Sequence, residues 1–305
     1  MLLFTHPDCL LHEMQPRHPE RPDRLTAVLK HLQATGLIQE LDQRPANPVS
    51  DEALQSIHQP RYLDALEQTA PESGLMPLDP DTLMCPHTLR AASLATGAVV
   101  DAVTAVLNGE AGRAFCAVRP PGHHAEADTG MGFCFYNSIA VGAQTALAHP
   151  DIERVAVLDF DVHHGNGTVD IFKDRSEVLV CSSFQHPYYP NRYADIRRDN
   201  IVNTPLPAGT GSAGFRRAVE ADWRAAVERH KPQLILVSAG FDAHRQDPLA
   251  QLELDENDFR WVTELISDFA NQHADGRVVS ALEGGYDLDA LAASAHTHIE
   301  ALRAG

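Results

Sequence analysis

The sequence predicts an α/β fold: a central, mostly parallel β-sheet with helices on both faces. Three observations carry that expectation. Short β-branched runs alternate with longer stretches of helical character. The runs are apolar at successive positions rather than at every second one, as strands buried on both faces must be. Each run ends in a polar or glycine-rich segment holding acids, imidazoles or aromatics. In parallel sheets, ligands bind at the carboxyl ends of strands, so these segments are expected to share one rim.

Residues 1–85 are the least regular part, and they are expected to give helices and loops packed around the sheet. Thr88 to Leu107 reads as the first long helix. Phe115 to Val118 is the first strand, followed by Arg119-Pro120-Pro121-Gly122-His123-His124-Ala125-Glu126. Ser138 to Ala148 is helical. Val155 to Leu158 is the second strand and leads into Asp159 to Gly167. Val178 to Cys181 is the third, with Ser183 to Tyr189 after it. A helix over Ala213 to His230 precedes the fourth strand, Leu234 to Val237, which runs into Ser238-Ala239-Gly240-Phe241-Asp242. Asp255 is placed to cap a helix reaching Ala274, with Asp258 three positions on. The fifth strand, Val278 to Leu282, ends at Glu283-Gly284-Gly285-Tyr286.

A chain of 305 residues is close to the upper size for one core, so one domain over 1–305 is expected. Hydrophobic content of 44% is ample for that core, and no apolar run is expected to approach membrane-span length. Met1 to Pro7 does not read as a signal peptide. Five cysteines without a CxxC pair fit a reduced, cytoplasmic setting. The formal charge of −18 argues against a nucleic-acid partner. It would attract cationic substrates, although solubility alone accounts for it. The sequence is compatible with a homo-oligomer.

Two adjacent imidazoles in a Pro/Gly-rich loop, His123 and His124, are hard to explain as packing. They suit proton transfer near neutral pH, with Asp159 and Asn166 available to orient them. A single histidine would more often be structural. Asp161 and His163, two positions apart, offer metal ligands on one side of an extended backbone, and Asp242 is the best third. An Asp2His set suits zinc and leaves a position open; ferrous iron would accept the same donors. An isolated DxH would more often cap a helix or pair with a cation. Tyr286 follows two glycines that let a phenol approach a substrate carbonyl, although one tyrosine alone is usually core. Phe133 and Tyr189 are aromatics beside this cluster.

Taken together, these segments resemble the zinc-dependent histone deacetylases of the arginase/deacetylase fold. The matching pieces are His18-Pro19-Glu20-Arg21-Pro22, Arg119 to His124, Gly132-Phe133-Cys134, Asp159 to Gly165, Ser238 to Asp242 and Glu283 to Tyr286, in family order. The resemblance implies Asp161, His163 and Asp242 as zinc ligands and His124 as general base and acid. It implies His123 as an electrostatic neighbour partnered by Asp159. Asn166 stands where His124's partner belongs, as in the class II branch. Tyr286 matches the carbonyl-polarising tyrosine. Gly132, Phe133, Tyr189 and Leu249 match the substrate channel. A structural potassium ion would be held by Asp159, Asp161, His163 and Ser183.

The implied reaction is hydrolysis of an acyl group from a lysine side chain or another primary amine. An acetylpolyamine hydrolase is the first rival, and Leu249 stands where such enzymes can place a gatekeeping acid. A two-manganese, arginase-like centre would want an acid at Gly165. A silent acyl-lysine binding module would be expected to have lost a ligand or the tyrosine, and neither is missing.

Overall fold

A computed structural model describes residues 1–305. Ten strands form: β1 (Leu2–Thr5), β2 (Asp42–Pro45), β3 (Met76–Pro77), β4 (Leu83–Met84), β5 (Arg113–Cys116), β6 (Val155–Asp159), β7 (Val178–Gln185), β8 (Ile201–Leu206), β9 (Leu234–Ala239) and β10 (Val278–Leu282). Eight of them make one sheet in the order β2-β1-β5-β10-β9-β6-β7-β8, and every pairing in it is parallel. β3 and β4 form a separate antiparallel ribbon.

The helices are α1 (Asp23–Thr35), α2 (Asp51–Gln55), α3 (Pro60–Thr69), α4 (Thr88–Leu107), α5 (Ser138–Leu147), α6 (Asn166–Phe172), α7 (Ser212–His230), α8 (Glu256–His273) and α9 (Leu288–Ala304). They cover both faces, as adjacent residues of β5 demonstrate. The Phe115 ring lies 5.7 Å from that of His298 on α9, while the Cys116 thiol donates to the Ala98 carbonyl of α4. Side chains alternate across a strand, so these helices lie on opposite sides. The fully apolar runs follow from this: β5, β6, β9 and β10 are buried at every position.

Four differences from the sequence reading have physical causes. Residues 1–85 are not merely a coat, because they supply β1 and β2; Leu2-Leu3-Phe4 is too short a run to announce itself. The edge strand β8 carries Asn203 and Pro205, and a proline is tolerated only at such an edge. β5 ends at Cys116, two residues early, whereas β7 continues to Gln185, so Ser183 lies inside the strand. Finally, α4 is long and apolar enough, by length and composition, to cross a membrane, contrary to the expectation that no such run exists. Its most apolar window is 67% buried here, against the sheet and α5.

The α8 cap forms as expected. The Asp255 side chain accepts from Asn257 N, and Asp258 Oδ2 accepts from Asp255 N, closing a capping box.

Candidate active site

β6 and β9 are neighbours in register, with Asp159 opposite Ser238, so the segments that follow them emerge side by side. One brings Asp161 and His163, the other Asp242. Their ligand-capable atoms lie within 4.8 Å of one another, and all three residues are buried. His163 Nδ1 is 3.1 Å from both Asp161 Oδ1 and Asp242 Oδ2. Backbone donors fix the acids. Gly284 N donates to Asp161 Oδ2, His163 N to Asp161 Oδ1 and Val162 N to Asp242 Oδ1, each at 2.9 Å.

The packing leaves no room for larger residues around the acids. A Cβ on Gly240 would stand 2.0 Å from Asp161 Oδ2, and one on Gly284 would stand 2.1 Å from Asp242 Oδ2. Burial disfavours a charged His163, but its two carboxylate partners prevail and raise it to about 10. Two carboxylates out of water require a positive counter-charge, so this donor set fits a cation.

Next to this cluster stand the paired imidazoles, their ring centroids 4.0 Å apart. His123 Nδ1 is 3.0 Å from Asp159 Oδ2, and His124 Nδ1 is 2.7 Å from Asn166 Oδ1. The loop is anchored from below by Glu283, whose Oε2 accepts from Gly122 N (2.7 Å) and His123 N (3.2 Å). Burial pushes the Glu283 carboxyl up to about 7.

A cavity of about 210 Å³ opens onto the site and is lined in part by His124, His163 and Tyr286. The four expected channel residues, Gly132, Phe133, Tyr189 and Leu249, all line it. The Tyr189 ring stands edge-on to His124, and that of Phe133 edge-on to Tyr286. Tyr286 N donates to Asp247 Oδ2 at 2.7 Å. Arg24 Nε donates to the Gly285 carbonyl at 2.6 Å, with the guanidinium carbon 4.8 Å from the tyrosine ring centroid. Burial raises the phenol well above its usual range, so it stays a hydrogen-bond donor. Ser183 is buried in β7, and its hydroxyl has no partner.

Sequence reading missed several participants. Asp81 and Tyr188 also line the cavity. Asp81 sits at the tip of the β3–β4 ribbon, in the part of the chain with the weakest pattern. His18 explains the HPERP segment: its Nε2 lies 3.1 Å from the Asp81 carbonyl, and its ring packs on Phe133. Glu20 binds Arg119 through both oxygens, at 2.8 and 2.6 Å, and accepts from Arg24. Glu126, two residues after His124, contacts Asn166 and was legible only as part of that run.

A parallel α/β sheet with an Asp–His–Asp cluster and a histidine pair at its carboxyl rim defines a hydrolase centre of the deacetylase type. The profile of the histone deacetylase domain matches residues 18–302, and the chain belongs to that family. It is 41% identical over 276 residues to a histone deacetylase-like amidohydrolase of Pseudomonas aeruginosa, covering 88% of this chain and 72% of that one. It is 35% identical over 311 residues to a probable deacetylase of Archaeoglobus fulgidus, covering 99% and 86%. The crystal structure of the HDA15 HD domain superposes with a TM-score of 0.93 at 32% identity, covering 99% of this chain and 87% of that one. The chain is accordingly a hydrolase of amide bonds.

Proposed function

We propose that this enzyme is a zinc-dependent amidohydrolase that removes acetyl or other short acyl groups from lysine side chains. The observation that carries this reading is the cavity. Its aromatic and aliphatic walls, Phe133, Tyr188, Tyr189 and Leu249, suit an unbranched methylene chain, and His124, His163 and Tyr286 line the same space. Asp161, His163 and Asp242 would hold the ion. Bound there, zinc would supply Lewis-acid polarisation of a carbonyl and a more acidic water.

The side chains divide the remaining work. His124 takes a proton from the attacking water and later returns one to the leaving amine. Its ionisation is held well below the usual histidine range by burial and by His123, so it starts neutral. Tyr286 donates its phenol hydrogen to the oxyanion that develops on the substrate. His123, raised well above the usual range by the Asp161 and Asp159 carboxylates against the cost of burial, supplies fixed positive charge beside it. The unpartnered Ser183 hydroxyl supports a potassium ion held with Asp159, Asp161 and His163.

One observation favours the second reading, an acetylpolyamine hydrolase. Asp81 brings a carboxylate to a cavity whose Leu249 side is neutral, and a distal ammonium would be drawn to it. A kinetic panel of acetyl-lysine peptides, longer acyl-lysines and acetylpolyamines decides, with metal content measured on the same sample. Higher kcat/KM for acetyl-lysine peptides is expected. Preference for acetylpolyamines would replace the first reading with the second, and a metal-loaded protein inert on all three would defeat both.

A further inference from the structure

A general base needs a free lone pair, and His124 Nδ1 lies 2.7 Å from an amide rather than from a carboxylate. An asparagine can present either its oxygen or its nitrogen, and the choice decides which ring nitrogen carries the hydrogen. Oxygen towards Nδ1 requires Nδ1–H and leaves Nε2 as the basic lone pair. Nitrogen towards Nδ1 requires the opposite tautomer, with no lone pair at Nε2. Asn166 therefore needs something to specify its orientation.

Three groups meet the Asn166 amide nitrogen, and all of them accept; the weakest is the Met131 thioether sulfur at 3.5 Å. Glu126 Oε1 is 2.8 Å from Asn166 Nδ2, and the His124 carbonyl is 3.3 Å from it. The other Glu126 oxygen accepts from Arg192 Nη1 at 2.7 Å. The Glu126 side chain is 7% exposed and that of Arg192 is 47% exposed. The guanidinium end of this ion pair is open to solvent, which screens it. Stability is thus a weak reason for a carboxylate at this position, and the contact to Asn166 is a better one.

We infer that Glu126, held by Arg192, is a positioning residue that orients the Asn166 amide and thereby keeps the His124 hydrogen on Nδ1. The inference rests on His124 being the reaction's base. It assigns Glu126 a role that a carboxylate partner on His124 would make unnecessary, because a carboxylate has two equivalent acceptors and no wrong orientation. Arg192 has its own part. As a donor-only cation it occupies one Glu126 oxygen and leaves the other for Asn166.

The test is a reversal. In E126Q the guanidinium claims the single amide oxygen, so the NH2 group of the introduced side chain faces Asn166 and turns it around. In N166D two carboxylates face each other. Each single variant should lose about 10- to 100-fold in kcat, as for a lost charge-assisted hydrogen bond. The double variant E126Q/N166D restores a complementary chain. Its introduced amide donates to its introduced carboxylate, and that carboxylate accepts from His124 Nδ1–H. It should turn over faster than either single variant, whereas a purely structural role predicts losses that add.

Nitrogen-15 NMR of His124 in the intact protein reads the tautomer directly. Wild type should show Nδ1–H, and E126Q should show Nε2–H. A wild-type Nε2–H tautomer, an unchanged tautomer in E126Q, or a double variant no better than the singles would overturn the inference. Full turnover by His124→Ala would instead remove the base assignment and with it the catalytic role given to Glu126, even if the orienting contact were still seen in the spectrum.

Discussion

His123 and His124 are adjacent in sequence with rings 4.0 Å apart, yet they meet opposite partners. His123 has the buried carboxylate of Asp159, and His124 the neutral amide of Asn166. Burial disfavours the imidazolium on both rings. On His123 the Asp161 and Asp159 charges overcome it, and the ring is raised well above the usual range. On His124 the amide cannot, and the charged neighbour His123 lowers it further. Two groups of one kind are thereby driven apart, one towards a fixed cation and one towards a free base, and this separation is what acid–base chemistry at neutral pH needs.

The sharpest way to break the comparison is to remove the base. His124→Ala should reduce kcat by about 100- to 10,000-fold. Metal content should stay near wild type, because His124 is not among the clustered ligands. Loss of the metal in this variant would move His124 into the coordination sphere or its immediate support.

Next in size is Tyr286→Phe, which tests whether His124 works against a separate oxyanion donor. Loss of such a donor typically costs about 100- to 1000-fold. kcat and kcat/KM should fall together, since the interaction strengthens in the transition state. If Tyr286 is only a core residue held by Arg24 and Asp247, melting temperature should drop and turnover should hold.

Asp159→Asn makes the two pairs alike. Removing one of the two carboxylates that raise His123 should lower its pKa, with Asp161 still beside it, and kcat should fall about 10-fold, as for one charge-assisted hydrogen bond. The sign for stability follows from the raised value. The His123 contribution is fully present below the unfolded histidine pKa of about 6.5 and is lost as pH climbs through the raised folded value, whereas Asp159, which burial raises to about 6, loses its own charge as pH falls below that. Melting temperature measured against pH should show this decline in wild type and a flatter profile in the variant. The same profile in both would mean that Asp159 does not hold the charge.

What was legible in the sequence, and what was not, divides along similar lines. Asp161, His163, Asp242 and the histidine pair follow mostly apolar strands that are buried at every position, so the end of the hydrophobic run points to the rim. Tyr286 is found the same way, after β10. Asp81 gives no such signal, because its ribbon has two-residue strands and is placed by the His18 contact to a backbone carbonyl. Glu126 and Arg192 are 66 positions apart and are joined only by the fold. Asp247 lies two residues before Leu249, and nothing in the sequence around it announces its bond to Tyr286 N. Periodicity locates strand ends; it does not reveal which distant loop leans over them.

The smallest expected effect lies at the cavity wall and concerns substrate rather than chemistry. Leu249 lines the same cavity as Asp81, and its backbone is tied in place: Leu249 N donates to Asp247 Oδ1 at 3.0 Å, and the Tyr188 hydroxyl donates to the Leu249 carbonyl. Burial and the neighbouring Asp79 raise the Asp81 carboxyl to about 6, so it is mostly ionised at pH 8 and loses charge near pH 6. Leu249→Glu adds a second acid to the cavity while leaving both histidine pairs untouched. The ratio of acetylpolyamine to acetyl-lysine turnover should rise several-fold, on the order of 1 kcal/mol for one partly screened charge pair. The gain should shrink as salt is raised. It should also be larger at pH 8 than at pH 6, where the acids begin to protonate. A ratio that stays fixed across salt and pH would place Leu249 away from the path of the distal ammonium.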